Sequence, residues 1–107
     1  MIVNDELGVA GQIEALLETV FDPEIPVNIV ELGLVYEIIT KKSDATAKVV
    51  MTLTAPNCPV AGNIITEVQE KLETVPGVEK ALVELTFDPA WDKSMMSDVA
   101  RLELGFM

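Results

Sequence analysis

The spacing of the apolar residues changes several times along this chain of 107 residues, and these changes constrain its fold more than any other feature. Residues 9–20 and residues 60–73 both repeat apolar side chains at intervals of three and four, as a helix with one buried face does. The repeating positions are Ile13, Leu16, Leu17 and Val20 in the first segment, and Ile64, Ile65, Val68 and Leu72 in the second. The spacing therefore predicts two amphipathic helices.

Alternating apolar residues predict three strands, over residues 34–41, 47–54 and 78–87. The inward positions would be Leu34, Tyr36 and Ile38, then Val49, Met51 and Leu53, then Ala81, Val83, Leu85 and Phe87. A short turn over residues 42–45 predicts that the first two strands form an antiparallel hairpin. The helix between the second and third strands favours a parallel, right-handed crossover.

A last short helix is predicted from about Ser94 to Leu104, with a serine N-cap and Gly105 just past its end. The predicted element order is therefore α-β-β-α-β-α. This order indicates an α/β (α+β) fold, with helices packed on a mixed three-stranded sheet. At this length we expect residues 1–107 to form a single domain.

Charge and composition exclude several classes of function. The net charge is −11, from 18 acidic and 7 basic residues, and such a surface repels the phosphates of nucleic acids. No segment approaches the roughly 20 apolar residues of a membrane helix, and the N-terminus lacks the pattern of a signal peptide. One cysteine fits a reducing compartment, so we expect a cytoplasmic protein that contacts neither membrane nor nucleic acid.

The single cysteine, Cys58, lies where a predicted strand ends and a predicted helix begins. Unpaired backbone N–H groups and the helix dipole at such a position lower the pKa of a thiol. Thr52 and Thr54 are predicted on the strand face opposite the core, where they could offer hydroxyl groups. A lone cysteine can also pack as a small apolar side chain, and spacing alone leaves both interpretations open.

Two further groups of residues follow predicted elements. Asp22 and Glu24 flank Pro23 after the first helix, where they could shape a turn, ligate a metal or act as a base for Cys58. Trp91 follows the last strand, and a tryptophan there more often closes an edge of the core than binds a ligand. The chain has no histidine, so a Cys–His dyad within it is impossible.

Four blocks in order resemble the SufT/PaaD-type family of iron–sulfur cluster assembly proteins, a small domain long catalogued as being of unknown function. The blocks are DPEIPVNIVELGLVY (22–36), MTLTAPNCP (51–59), FDPAW (87–91) and MSDVARLELG (96–105). The family also includes the eukaryotic cytosolic iron–sulfur assembly factor and the N-terminal domain of some Mrp/ApbC-type ATPases. The resemblance implies a fold like that of iron–sulfur cluster assembly domains, often in a homodimer.

The resemblance also implies roles for individual residues. The reactive cysteine of the family falls on Cys58, its acidic pair on Asp22 and Glu24, and its strand-end hydroxyl on Thr54. Some members have a second threonine where this chain has Ala55, so no role for that hydroxyl applies here. Implied partners are the iron–sulfur assembly machinery and client proteins. The implied cargo is a transient iron–sulfur cluster or iron at Cys58, Asp22 and Glu24, with none stably bound.

Two alternatives to a non-enzymatic assembly factor stay open on the sequence. One is a thiol-dependent enzyme in which Cys58 attacks a substrate and Asp22 or Glu24 acts as the base, with Thr54 positioning the thiolate. The other is an interaction module in which the acidic surface and Trp91 bind a partner while Cys58 only packs.

Overall fold

A four-stranded mixed sheet organises the protein in a computed structural model that describes residues 1–21, 27–53 and 61–103. The elements are β1 (Ile2–Asp5), α1 (Ala10–Leu17), β2 (Val35–Lys41), β3 (Thr46–Met51), α2 (Ala61–Glu73), β4 (Lys80–Leu85), a 3₁₀ turn (Lys93–Met95) and α3 (Asp98–Glu103). The strands follow the order β1-β2-β3-β4 across the sheet, and this arrangement is an α+β fold, as predicted.

The predicted strand pairings are confirmed. β2 and β3 pair antiparallel across a turn at residues 42–45, and β3 and β4 pair parallel on either side of α2. The predicted count of three strands is wrong, because β1 adds a fourth strand parallel to β2. β1 has four residues, three of them exposed, so it lacks the alternation by which a half-buried strand is recognised.

The core lies between the sheet and helices α1 and α2. The buried apolar positions of these two helices are Ile13, Leu17, Ile64, Val68 and Leu72, all of which the apolar spacing predicted. They pack in one cluster with Ile38 of β2 and with Ala47, Val49 and Met51 of β3. The helices therefore bury the faces that their sequences indicate.

Two predicted strand faces are corrected by the structure. In β2 the register shifts between Val35, opposite Met51, and Glu37, opposite Val50, so Tyr36 is the extra residue of a β-bulge. The bulge leaves Tyr36 only half-buried. In the last strand, Leu85 and Phe87 are 37% and 40% exposed rather than inward, since Leu85 is the last residue of the edge strand β4 and Phe87 lies beyond its end.

The predicted C-terminal helix starts later than expected. Residues 93–95 form a 3₁₀ turn, and α3 begins at Asp98. The predicted serine cap exists, but it is Ser97 rather than Ser94, since the Ser97 Oγ accepts a hydrogen bond from the Ala100 N–H at 3.1 Å. The predicted end at Leu104 and Gly105 lies outside the described residues.

Candidate functional site

The four residues predicted to form the site lie in two segments outside the described residues. Asp22 and Glu24 belong to residues 22–26, and Thr54 and Cys58 belong to residues 54–60. Their roles therefore stay predictions. The structure describes the residues on both sides of each segment, and these show how the fold joins the two.

The ends of residues 22–26 are held together by backbone contacts. Phe21 and Asn28 form an isolated antiparallel bridge. The Ile29 N–H donates to the Val20 carbonyl at 2.8 Å, and both of these side chains are fully buried. The residues on either side of this segment, Phe21 and Asn28, are therefore held next to each other.

A compact turn then connects this point to the sheet. The Asn28 side chain accepts the Glu31 N–H at 2.9 Å, and the Leu34 N–H donates to the Ile29 carbonyl at 3.0 Å. The Leu34 carbonyl in turn accepts the Thr52 N–H at 2.8 Å. The chain returning from residues 22–26 is thus hydrogen-bonded to the chain entering residues 54–60.

The segment that contains Cys58 connects β3 to α2. β3 ends at Met51, Thr52 and Leu53 are buried, and the 13-residue helix α2 begins at Ala61. A strand-to-helix connection around the cysteine was predicted and is confirmed. Thr52 was predicted to offer its hydroxyl on the face opposite the core, but the residue is 0% exposed and its hydroxyl has no hydrogen-bond partner among the described residues.

Tyr36, which neighbours Thr52, is a residue to which the sequence pattern assigned no functional role. Its hydroxyl donates to the Pro89 carbonyl at 2.8 Å and lies 3.6 Å from the Met95 Sδ. Burial raises the pKa of the Tyr36 phenol, and the neighbouring Thr52 hydroxyl opposes that shift without forming a hydrogen bond of regular geometry. The signal that could have identified Tyr36 is its place as the only tyrosine, at the end of the longest family block.

Trp91 closes an edge of the core, as predicted. Its indole N–H donates to the Leu32 carbonyl at 2.7 Å, and its ring packs against the buried cluster. The adjacent Gly33 lies directly against the backbone of Met95. The C-terminal segment is therefore fixed to the turn that follows residues 22–26.

Within residues 1–21, 27–53 and 61–103, no group of three or more His, Cys, Asp or Glu side chains could hold a metal ion. In those same ranges, no helix is long and apolar enough to cross a membrane.

Comparison with known proteins identifies the family. The sequence model of the family described as iron–sulfur cluster assembly protein matches residues 11–85, which is most of the chain. The chain belongs to the iron–sulfur cluster assembly protein family. The matched interval includes Asp22, Glu24, Thr54 and Cys58 and ends at the last residue of β4.

Relatives within this family are similar over nearly their whole length. An Fe-S protein maturation auxiliary factor of Porphyromonas gingivalis is 50% identical over 104 residues, covering 97% of this chain and 98% of that protein. The Fe-S protein maturation auxiliary factor YitW of Bacillus subtilis is 40% identical over 83% of this chain and 86% of its own length. A crystal structure of a domain of unknown function from Bacillus anthracis superposes with a TM-score of 0.83 at 40% identity, covering 91% and 92% of the two chains.

Proposed function

We propose that this protein is a maturation factor for iron–sulfur proteins, and that it helps to deliver clusters to client proteins through Cys58. The observation that carries the proposal is the 50% identity, over almost the entire chain, to a protein named as an Fe-S protein maturation auxiliary factor. Similarity over the full length of both proteins favours a shared role more strongly than a shared fold alone.

The fold supports a reactive role for the cysteine. Cys58 precedes a helix of 13 residues, whose first N–H groups and dipole favour a thiolate over a thiol. The backbone bond from Thr52 to Leu34 joins this segment to the turn that follows Asp22 and Glu24. We therefore propose that the two carboxylates complete or tune a site at Cys58, and that Thr54 positions the thiolate.

One thiolate in each chain fits transfer better than storage. Clusters are usually held by four protein thiolates, and this chain supplies one. We propose that a homodimer provides two cysteines and that carboxylates, a small thiol or the client supply the remaining ligands. A cluster held in this way exchanges readily, which is what delivery to a client in a reducing compartment requires.

The direct test is rescue in bacterial cells that lack their own homologue. The readout is the activity of an iron–sulfur enzyme that depends on that homologue, with protein levels measured in parallel. We expect Cys58→Ser to abolish rescue and Asp22→Asn or Glu24→Gln to weaken it. Ser43→Ala, in the turn between β2 and β3, is the matched control and should rescue like the wild type. Full rescue by Cys58→Ser would contradict the proposed role of the thiol.

Two measurements on the purified protein separate a metal ligand from a nucleophile. The rate of Cys58 alkylation against pH should give a pKa clearly below the value of about 8.5 for a free thiol. Anaerobic reconstitution with iron and sulfide should give visible absorption in the wild type that Cys58→Ser lacks. A low pKa without any iron-dependent absorption would instead favour the thiol enzyme.

A further inference from the structure

The outer face of the sheet carries a pocket of about 260 Å³ at the end where β2 turns into β3. Core residues Ala47 and Val49 of β3 face the helices, so the alternate residues Thr46 and Lys48 face the opposite surface. Two rows of residues, paired across β2, β3 and β4, line this pocket: Lys41–Thr46–Lys80 and Ile39–Lys48–Leu82. We call it the lysine pocket.

The charge of the lysine pocket is opposite to that of the chain. Three of the seven basic residues line it, in a protein whose net charge is −11. Lys48 forms an ion pair with Glu84 at 3.0 Å, whereas Lys41 and Lys80 have no ion pair among the described residues. Asp44, also in the lining, is exposed in the turn. The pocket therefore offers an anion two ammonium groups that have no ion pair among the described residues, beside the one carboxylate of Asp44.

A buried hydroxyl lies between these two lysines. Thr46 pairs with Lys41 on one side and with Lys80 on the other, and it is only 7% exposed. Its Oγ1 is buried and has no hydrogen-bond partner among the described residues. Buried polar groups are almost always hydrogen-bonded, so an unpartnered donor here points to a missing acceptor.

We propose that the lysine pocket binds the phosphate group of a small phosphate monoester. Lys41 and Lys80 match the double negative charge of that group, and the Thr46 hydroxyl donates to one of its oxygens. Ile39 and Leu82 lie on either side of Lys48 in the second row, and Leu82 is 40% exposed. These two apolar side chains give the organic part of an ester a surface that inorganic phosphate does not use. The site is independent of the role proposed for Cys58.

The test is a titration of the ¹⁵N-labelled protein followed by amide chemical shifts. Phenyl phosphate, inorganic phosphate and sodium chloride are compared at matched ionic strength, which separates an ester, a free phosphate and charge screening. We expect saturable shifts at residues 39–48 and 80–82 with both phosphates and none with chloride. The ester should bind more tightly than inorganic phosphate.

Variants locate the contacts. Because each ammonium makes a charge-assisted contact, Lys41→Gln with Lys80→Gln should weaken phosphate binding about tenfold or more. Thr46→Val, which keeps the shape and removes the donor, should weaken it about threefold to tenfold. Leu82→Ser should weaken binding of the ester and leave inorganic phosphate unchanged. The matched control is Lys71→Gln. It also removes one positive charge, but this charge lies on α2 and is paired with Glu67.

Several results would overturn this site. One is a response that does not saturate or that spreads over the whole protein. Another is equal binding by the Lys41→Gln, Lys80→Gln double variant and by Lys71→Gln, with circular dichroism showing both folded. Equal affinity for the two phosphates in the wild type and in Leu82→Ser would overturn the assignment to an ester.

Discussion

At the scale of single residues, Gly33 sets how closely the C-terminal segment approaches the turn after residues 22–26. Its φ is +80°, and a Cβ added there would lie 2.3 Å from the Met95 carbonyl oxygen. A side chain therefore meets two obstacles, the left-handed backbone and a rigid neighbour. Gly77, with φ +91°, meets only the first, because nothing lies within 4 Å of its added Cβ.

We predict that Gly33→Ala lowers the free energy of unfolding by about 3 kcal/mol or more, since the backbone strain and the clash with Met95 both contribute. Gly77→Ala is the matched control and should cost about 1–2 kcal/mol from the backbone alone. Urea denaturation of both variants measures the difference. Equal losses would show that the Met95 contact does not constrain position 33.

Asp5 is a second residue whose role is set by its contacts. Its Oδ1 accepts the Thr40 hydroxyl at 2.6 Å, and its two oxygens accept N–H groups from Gly8, Val9 and Ala10 at the start of α1. Burial by itself would raise the pKa of Asp5, but the bonds from Thr40 and the three N–H groups outweigh it. They hold the pKa below its ordinary value of 3.8.

We predict that Asp5→Asn lowers the free energy of unfolding by about 1 kcal/mol at neutral pH, because it removes the charge that strengthens these hydrogen bonds. Because the folded-state pKa is depressed, this contribution is fully present above pH 3.8 and is lost as the pH falls through the folded-state value. Urea denaturation from pH 7 to pH 2 should show the wild type and variant converging at the acid end. Asp44→Asn, in an exposed turn, is the control; a difference that stayed constant with pH would contradict this account.

At the scale of elements, Ser97 joins α3 to the turn after residues 22–26. Its backbone N–H donates to the Glu31 carbonyl at 2.8 Å, and its hydroxyl donates to the Glu31 carboxylate. The same Oγ accepts the Ala100 N–H. The Ser97 side chain thus caps α3 and also attaches it to Glu31. This explains why a helix of only six residues is stable here.

We predict that Ser97→Ala lowers the free energy of unfolding by about 1–2 kcal/mol, because it removes a cap and leaves Glu31 without its hydroxyl partner. Ser94→Ala is the matched control, since the Ser94 hydroxyl donates to the exposed side chain of Asp92 and its loss should cost less than about 0.5 kcal/mol. Urea denaturation gives both values, and amide exchange in α3 should quicken only in Ser97→Ala. Similar costs at the two serines would exclude this role for Ser97.

At the scale of the whole molecule, the net charge of −11 is the main electrostatic feature. The two ion pairs seen among the described residues, Lys48–Glu84 and Lys71–Glu67, have partly exposed partners and contribute little to stability. Repulsion among carboxylates therefore opposes the compact state at neutral pH.

Salt should therefore stabilise this protein. We predict that raising sodium chloride from about 0.01 M to 0.5 M, which shortens the screening length from about 30 Å to less than 10 Å, raises the Tm by several degrees. Potassium chloride should raise the Tm by the same amount, because screening does not depend on the identity of the cation. Glucose at the same osmolality is the control. A Tm that fell or stayed constant with salt would show that the carboxylates do not repel one another appreciably.

The sequence by itself determined the elements whose apolar spacing is regular. The inward faces of α1, α2 and β3 follow from side-chain periodicity, which depends only on local geometry. It also determined the family, because four ordered blocks and the residues around Cys58 form a specific pattern. The site residues Asp22, Glu24, Thr54 and Cys58 stay predictions of that pattern, since they lie outside the described residues.

Only the tertiary structure decided the features that depend on distant contacts. The short, exposed strand β1 exists because β2 offers it an edge, and the bulge at Tyr36 follows from the register against β3. Thr52 is buried in the fold, where its N–H also binds the Leu34 carbonyl, and the lysine pocket forms because pairing brings three strands into register. Each of these features depends on which segments contact one another in the fold, and the local spacing of apolar residues does not predict those contacts.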